Sequence, residues 1–414
     1  MNIYLIIIFV ILIGEYLLNL VVEILNLRHI SFSLPEEFNG YYSPEKYKKS
    51  QEYLKETTIF GIIKDTVFFL IVILFIIFGG FNFVDRIARS FNLGYIPTGL
   101  IFAGIILLGN SILEIPFSIY HNFVIEEKYG FNRTTPKTFI TDIIKTWILV
   151  AVIGGIIFSF ILWFFDKAGS LSWIYCWITV TLIELFLLFV YPVVILPLFN
   201  KFIPLEEGEL RTAIEGYANA EKFKLKGIFK MDASRRTTKS NAFFIGFGKY
   251  KRIVLFDTLI NKHTTDEIVS VLAHEMGHYK KHHFIKNMIF SFITAGIMFY
   301  ILSLFINNRG LFDAFKMEYV SIYASIFFFG FLYTPVNMFF SIIGNIISRK
   351  HEYEADIYAV KTYKKPDSMI NALKKLSVDN LSNLTPHPLK VFLEYSHPPV
   401  LARINNIRNS VSEL

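Results

Sequence analysis

The chain has 414 residues, of which 53% are hydrophobic, 17% aromatic and only 18% charged, with a mean hydropathy of +0.47. That much apolar material excludes an ordinary soluble globule and calls for lipid. The one cysteine, Cys176, excludes a disulfide framework and a thiolate metal site, and the net charge of +7 fits the basic excess of one membrane face, with no nucleic acid expected as a partner.

A helix needs roughly 20 apolar residues to cross a bilayer. Runs of that length predict seven spans, at 3–25, 60–82, 96–120, 143–165, 173–199, 284–306 and 319–346. The first run has no basic stretch before it and no small-residue cleavage site, and it holds Glu15 and Glu23; it reads as a retained span rather than a signal peptide. Basic residues are dense after span 1 (Arg28, Lys46, Lys48, Lys49, Lys55) and span 3 (Lys128, Arg133, Lys137). They are sparse after spans 2, 4 and 6 (Arg86, Arg89; Lys167; Arg309, Lys316). The positive-inside bias then puts the N-terminus outside or in a lumen, and the loops after spans 1, 3 and 5 in the cytoplasm with the tail. Four regions follow: spans 1–5 in 1–199, a polar cytoplasmic region in 200–283, spans 6 and 7 in 284–346, and a cytoplasmic tail in 347–414. The membrane would be the cell membrane of a prokaryote or the endoplasmic reticulum membrane of a eukaryote.

Lys64, Asp65, Glu114, Asp142, Lys145 and Glu184 fall in or beside spans. A charge in hydrocarbon costs at least about 2.5–3.5 kcal/mol, so such residues tend to face protein or water. If most face inward, the bundle encloses a wet space.

In the polar region, Phe243 to Phe247 and Arg252 to Phe256 read as two strands of a hairpin around Gly246-Phe247-Gly248. Thr265 to Lys280 reads as a helix, with Thr264 or Thr265 as cap and Asp266 and Glu267 in the first turn. It contains His274-Glu275-Met276-Gly277-His278. Two histidines four residues apart on one helix face can reach a single zinc ion, and Glu275 beside them is placed as general base toward the attacking water. His282, one turn further along, reads as surface or as support behind a ligand.

A catalytic zinc takes three protein ligands and keeps one position open. The third must come from elsewhere, and span 7 is followed by His351-Glu352-Tyr353-Glu354-Ala355-Asp356. By spacing alone Glu352, Glu354 and His351 compete. With Glu352 as ligand, Asp356 shares its helix face and can orient a ligand histidine. Spans 6 and 7 form the hairpin that returns the chain to His278.

At these residues the sequence resembles the type 1 CAAX prenyl endopeptidases, integral-membrane zinc proteases of the gluzincin kind. The resemblance rests on Ser240-Asn241-Ala242-Phe243-Phe244 with Lys251 to Leu259, on Leu272 to His278, on Ser348-Arg349 through Glu352 to Asp356, and on Tyr395-Ser396-His397-Pro398-Pro399 ending at Arg403-Ile404. A further match is Glu127 to Asn132 with Thr134-Thr135-Pro136-Lys137. It implies a mainly helical polytopic protein: seven spans around a large hydrated chamber, capped by a cytoplasmic α+β zinc-protease domain with a small edge-strand hairpin. It implies His274, His278 and Glu352 as ligands of one zinc per chain, Glu275 as base and Asp356 behind the ligands. His397 would donate to the oxyanion. Arg403 would bind a substrate carboxylate or hold Glu352 or Asp356. Asn241, Ala242 and Phe243 would lie on or beside an edge that pairs with an extended peptide.

The function expected is a zinc-dependent membrane endopeptidase. It cuts near the C-terminus of CAAX-type (prenylated) peptides or other hydrophobic, membrane-associated ones. Two alternatives share parts of the pattern: a quality-control membrane metalloprotease for misfolded or stalled proteins, and a chamber or channel protein with a vestigial zinc site. The partners expected are a peptide or protein substrate and the lipid bilayer.

Overall fold

Capping side chains, glycines and prolines decide where each apolar run starts and stops. In the computed structural model, which describes residues 2–245 and 251–412, seven helices are long and apolar enough to cross a membrane. They are Ile3–Arg28, Pro44–Ile77, Tyr95–Tyr129, Pro136–Lys167, Gly169–Phe199, His283–Phe305 and Ile322–Tyr363, called spans 1 to 7 below.

Three of them depart from the apolar runs. Span 2 starts at Pro44, where the Ser43 side chain accepts from the Lys46 amide, and stops at Ile77 because Gly79 takes φ +70. Residues 78–82, expected inside the span, instead open the amphipathic helix Gly80–Ser90, which buries Phe81, Val84 and Ala88. Span 3 continues past 120 through a π-helical stretch, His121–Glu126. Span 7 begins only at Ile322 and runs unbroken for 42 residues to Tyr363 with Pro335 inside it, about 63 Å at 1.5 Å per residue. The helix that crosses the membrane therefore carries Glu352 and Asp356 itself.

Four of the charges within the spans find partners. Lys64 Nζ lies 3.3 Å from Glu114, Asp142 pairs with Arg236 at 2.9 Å, and Lys145 donates to the Leu198 carbonyl at 2.6 Å.

Residues 202–256 supply a four-stranded sheet in the order β1-β2-β4-β3, from Phe202–Pro204 (β1), Gly227–Met231 (β2), Ala242–Ile245 (β3) and Arg252–Phe256 (β4). β2 and β4 are parallel, and β3 pairs antiparallel with β4, Ala242 opposite Leu255. β3 is therefore an edge strand. The turn expected at Gly246-Phe247-Gly248 lies outside the described residues.

One face of this sheet packs on the helix Thr265–Lys280 through Ile253, Leu255, Ile268, Val269, Leu272 and Met276, with Ala359 of span 7 joining the same core. Burying each large aliphatic side chain contributes about 1.5–3 kcal/mol, so this core locks the sheet, the histidine helix and span 7 into one unit. The tail adds the helices Pro366–Asp379 and Val400–Ser412. The loops after spans 1 and 3 reach the same end of the molecule: Glu37 pairs with Lys374 and Arg408, and the Arg133 amide donates to the Arg236 carbonyl. The loops after spans 2 and 6 meet at the other end, where Phe81 packs on Phe315 and Lys316 donates to the Ile77 carbonyl.

Candidate active site

The histidine helix is capped as its sequence leads one to expect. The Thr264 hydroxyl accepts from the Glu267 amide and the Glu267 carboxylate accepts from the Thr264 amide, a complete capping box. The helix then lies against span 7 at very short range. A Cβ built on Gly277 would sit 3.0 Å from Ala355 Cα and 3.1 Å from the Ala355 carbonyl oxygen. Any side chain there would push the two helices apart by a few tenths of an ångström, so the glycine helps set the distance between the histidines and Glu352.

Three side chains converge as a result. His274 Nε2 and His278 Nε2 are 3.1 Å apart; Glu352 Oε2 is 3.5 Å from the first and Glu352 Oε1 is 3.2 Å from the second. A tetrahedral zinc with bonds of about 2.0–2.1 Å has ligand–ligand edges of about 3.3–3.4 Å. The triad His274, His278 and Glu352 thus fits such a metal in donor type and spacing.

Each donor is held from behind. His274 Nδ1 lies 2.8 Å from Asp356 Oδ1, which fixes the proton on Nδ1 and leaves Nε2 with its lone pair. Arg403 forks onto Asp356 with Nε and Nη2, and its Nη1 lies 3.1 Å from Glu352 Oε2. Burial works against the Arg403 charge, but Asp356 and Glu352 outweigh it and hold the guanidinium firmly protonated. The two roles considered for Arg403 therefore separate: its guanidinium is engaged with both carboxylates.

Glu275 projects beside the triad. Burial pushes its carboxyl above the usual carboxylate range, while His274 and His278 pull the other way. A carboxylate with raised proton affinity is suited to taking and returning a proton. His397 is 67% exposed in its side chain, and its Nδ1 reaches Glu352 Oε2 at 3.0 Å; that hydrogen bond pushes the imidazole up and favours the protonated donor form.

The two rivals for third donor, His351 and Glu354, are not in the triad. They lie on another side of the same helix, against His283. The His351 ring stacks on His283 at 3.9 Å, and Glu354 Oε2 is 3.0 Å from His283 Nε2. His283 Nδ1 is in turn 3.1 Å from His278 Nδ1. His282, read from the sequence as surface or as support behind a ligand, is exposed and takes a left-handed φ of 57 where the histidine helix turns into span 6. That turn carries His283 inward to 1% exposure. A helical projection through 278–283 misses this because the helix breaks between them.

Along the edge strand, Asn241 accepts the Phe256 amide at its carbonyl, and its side-chain oxygen accepts the Ala242 amide. By the alternation of an antiparallel ladder, Phe243 faces β4 with its backbone groups, while those of Ala242 and Phe244 point to the free edge. Asn380 fastens the strand's start: its side chain accepts the Ser240 amide at 3.0 Å and donates to the Ser240 carbonyl at 3.3 Å.

Similarity to known proteins runs along the whole chain. Residues 23–201 match the family model described as CAAX prenyl protease N-terminal, five membrane helices, and residues 204–411 match that of peptidase family M48. The chain is 36% identical over 383 residues to the CAAX prenyl protease 1 homolog of Arabidopsis thaliana, covering 91% of this chain and 90% of that protein. It is 34% identical over 398 residues to CAAX prenyl protease 1 of Saccharomyces cerevisiae, covering 90% of this chain and 87% of that protein. The crystal structure of S. mikatae Ste24p superposes with a TM-score of 0.93 at 32% identity, over 98% of this chain and 99% of the other.

Proposed function

Because the chain belongs to peptidase family M48, among relatives of the CAAX prenyl protease 1 kind, and is a multi-pass membrane protein, we propose that it is a zinc-dependent endopeptidase cutting near the C-terminus of CAAX-type peptides. The observation that carries the proposal is the convergence of His274, His278 and Glu352 donor atoms within 3.1–3.5 Å, with Glu275 beside them. A zinc ion held there supplies Lewis acidity toward a water and a peptide carbonyl.

The chain's own residues do the rest. Glu275 takes a proton from the attacking water and passes it to the leaving amine. His397 donates to the carbonyl oxygen as negative charge gathers on it. Asp356 and Arg403 keep His274 and Glu352 in place. An extended peptide adds to the sheet along the backbone edge of Ala242 and Phe244, with Asn241 at its start and the Phe243 side chain on the opposite face. One zinc serves each chain. The hydrophobic part of the substrate, an isoprenyl group in the case of a prenylated peptide, occupies a hydrated chamber between the spans. The zinc domain and the loops after spans 1, 3 and 5 face the cytoplasm, as their basic residues favour.

Glu275→Gln tests the reading. Cleavage of a farnesylated CAAX peptide should fall by about 10²–10⁴-fold while zinc content is retained. Unchanged cleavage would refute the role of Glu275, and an equal rate on the unprenylated peptide would remove the prenyl requirement alone.

A further inference from the structure

The triad histidines are supported unequally. His274 meets the carboxylate of Asp356 directly, at 2.8 Å. Among the described residues His278 has no carboxylate on its Nδ1 side; it meets His283 there, at 3.1 Å between the two Nδ1 atoms. Helix geometry explains the difference. On span 7, Asp356 is four residues from Glu352 and shares its face, whereas Glu354 is turned about 200° away. A carboxylate there reaches His278 only through an intervening ring. His283 is that ring. It lies over His351 and Glu354, which are three residues apart and share one flank, stacking on the first at an interplanar angle of 10° and bonding the second.

The protons can be assigned along the chain of contacts. An ionised carboxylate only accepts, so His283 Nε2 carries the hydrogen and donates it to Glu354. His283 Nδ1 is then a lone pair and accepts from His278 Nδ1–H. His278 Nε2 is left without a proton, pointing at His274 and Glu352. The reverse assignment would put a hydrogen on the very atom that must bind a metal.

We propose that His283 is a positioning residue of the metal centre, fixing the tautomer and ring plane of His278 through the relay His278–His283–Glu354, with His351 as the plate that holds the His283 ring. The proposal rests on His278 being a metal ligand. It assigns the His283–His351–Glu354 cluster, which takes no part in the mechanism above, a defined task. Partners of this kind behind a ligand histidine typically contribute 10–100-fold in metal affinity.

The test is zinc affinity of the purified full-length protein, measured by competition with a chromophoric chelator after metal removal. His283→Phe keeps a ring to stack on His351 and removes the acceptor. His283→Asn places an amide oxygen about where Nδ1 lies and keeps it. Zinc binding should weaken about 10–100-fold in His283→Phe and return to within several-fold of the unsubstituted protein in His283→Asn. Wild-type affinity in His283→Phe overturns the proposal, and so does a loss in His283→Asn as large as in His283→Phe, which would mean packing alone. Glu354→Ala tests the relay from its partly exposed end, where folding is little affected: weakened zinc binding is expected, and unchanged binding overturns the proposal. A wild-type protein that binds no zinc would overturn the metal reading itself, an outcome distinct from the others.

Discussion

Arg403 and Asp356 meet in a two-pronged ion pair, Nε to Oδ2 at 2.9 Å and Nη2 to Oδ1 at 2.6 Å, and Asp356 has no exposed surface. The pair ties the last helix to span 7 and, through Asp356, to His274. A lysine is a point charge and cannot fork. Arg403→Lys should therefore weaken zinc binding by about 10–100-fold in a chelator competition. Arg403→Ala, which strands buried carboxylates, should in addition destabilise the metal-free protein by about 3–5 kcal/mol.

Gly277 is the contact point of the two helices that hold the triad. Gly277→Ala would gain up to about 1 kcal/mol in helix propensity, yet its methyl meets backbone atoms of Ala355 that cannot yield separately. The overpacking should win, lowering stability by about 1–3 kcal/mol and weakening zinc binding as the donors part. Gly216→Ala is the control: it sits in the helix Glu209–Ala220 with nothing near its added Cβ, and should be neutral or stabilising. Thermal unfolding in detergent distinguishes the two.

Proline scanning of the edge strand should separate substrate pairing from folding. At Phe244 the amide points away from β4, so Phe244→Pro leaves the ladder intact and removes a donor to the peptide. Because the Phe244 ring packs on Phe223, the reference is Phe244→Ala: relative to it, Phe244→Pro should raise KM several-fold with little further fall in melting temperature. Phe243→Pro deletes a bond to β4 and should lower the melting temperature instead. The opposite pattern would move the free edge by one residue.

Glu37 ties the loop after span 1 to the tail through Lys374 and Arg408. Burial alone would raise its carboxyl, but the two cations outweigh burial and hold it below the usual range. A depressed carboxylate stabilises the fold above its unfolded pKa of about 4.3, and that contribution fades as pH falls through the folded value. Glu37→Gln should thus cost about 1–3 kcal/mol at pH 7, and less at a pH below the unfolded value. Unfolding at the two pH values checks the sign.

Much of this was legible in the residues, for identifiable reasons. The spacing of His274 and His278 dictates a shared helix face, and Thr264 with Glu267 announces where that helix begins. The third donor was narrowed to His351, Glu352 and Glu354 because all three follow one apolar run. Choosing among them needs the facing helix, which turns Glu352 inward and leaves the other two to His283. His283 was hidden by a helix break at His282, since no single periodicity spans it. The end of span 2 was misplaced because Phe78 to Phe83 is as apolar as a span interior, and only the left-handed backbone of Gly79 marks the stop. The close approach at Gly277 left no trace in hydropathy at all.

The order of the site's parts along the chain has a consequence for how the protein is made. His274, Glu275 and His278 are synthesised before spans 6 and 7, Glu352 and Asp356 arrive with the far end of span 7, and His397 and Arg403 come later still. A growing chain holds a base and two histidines with nothing to complete them. On the function proposed above, the hydrolytic centre is complete only when a helical hairpin has crossed the bilayer and returned.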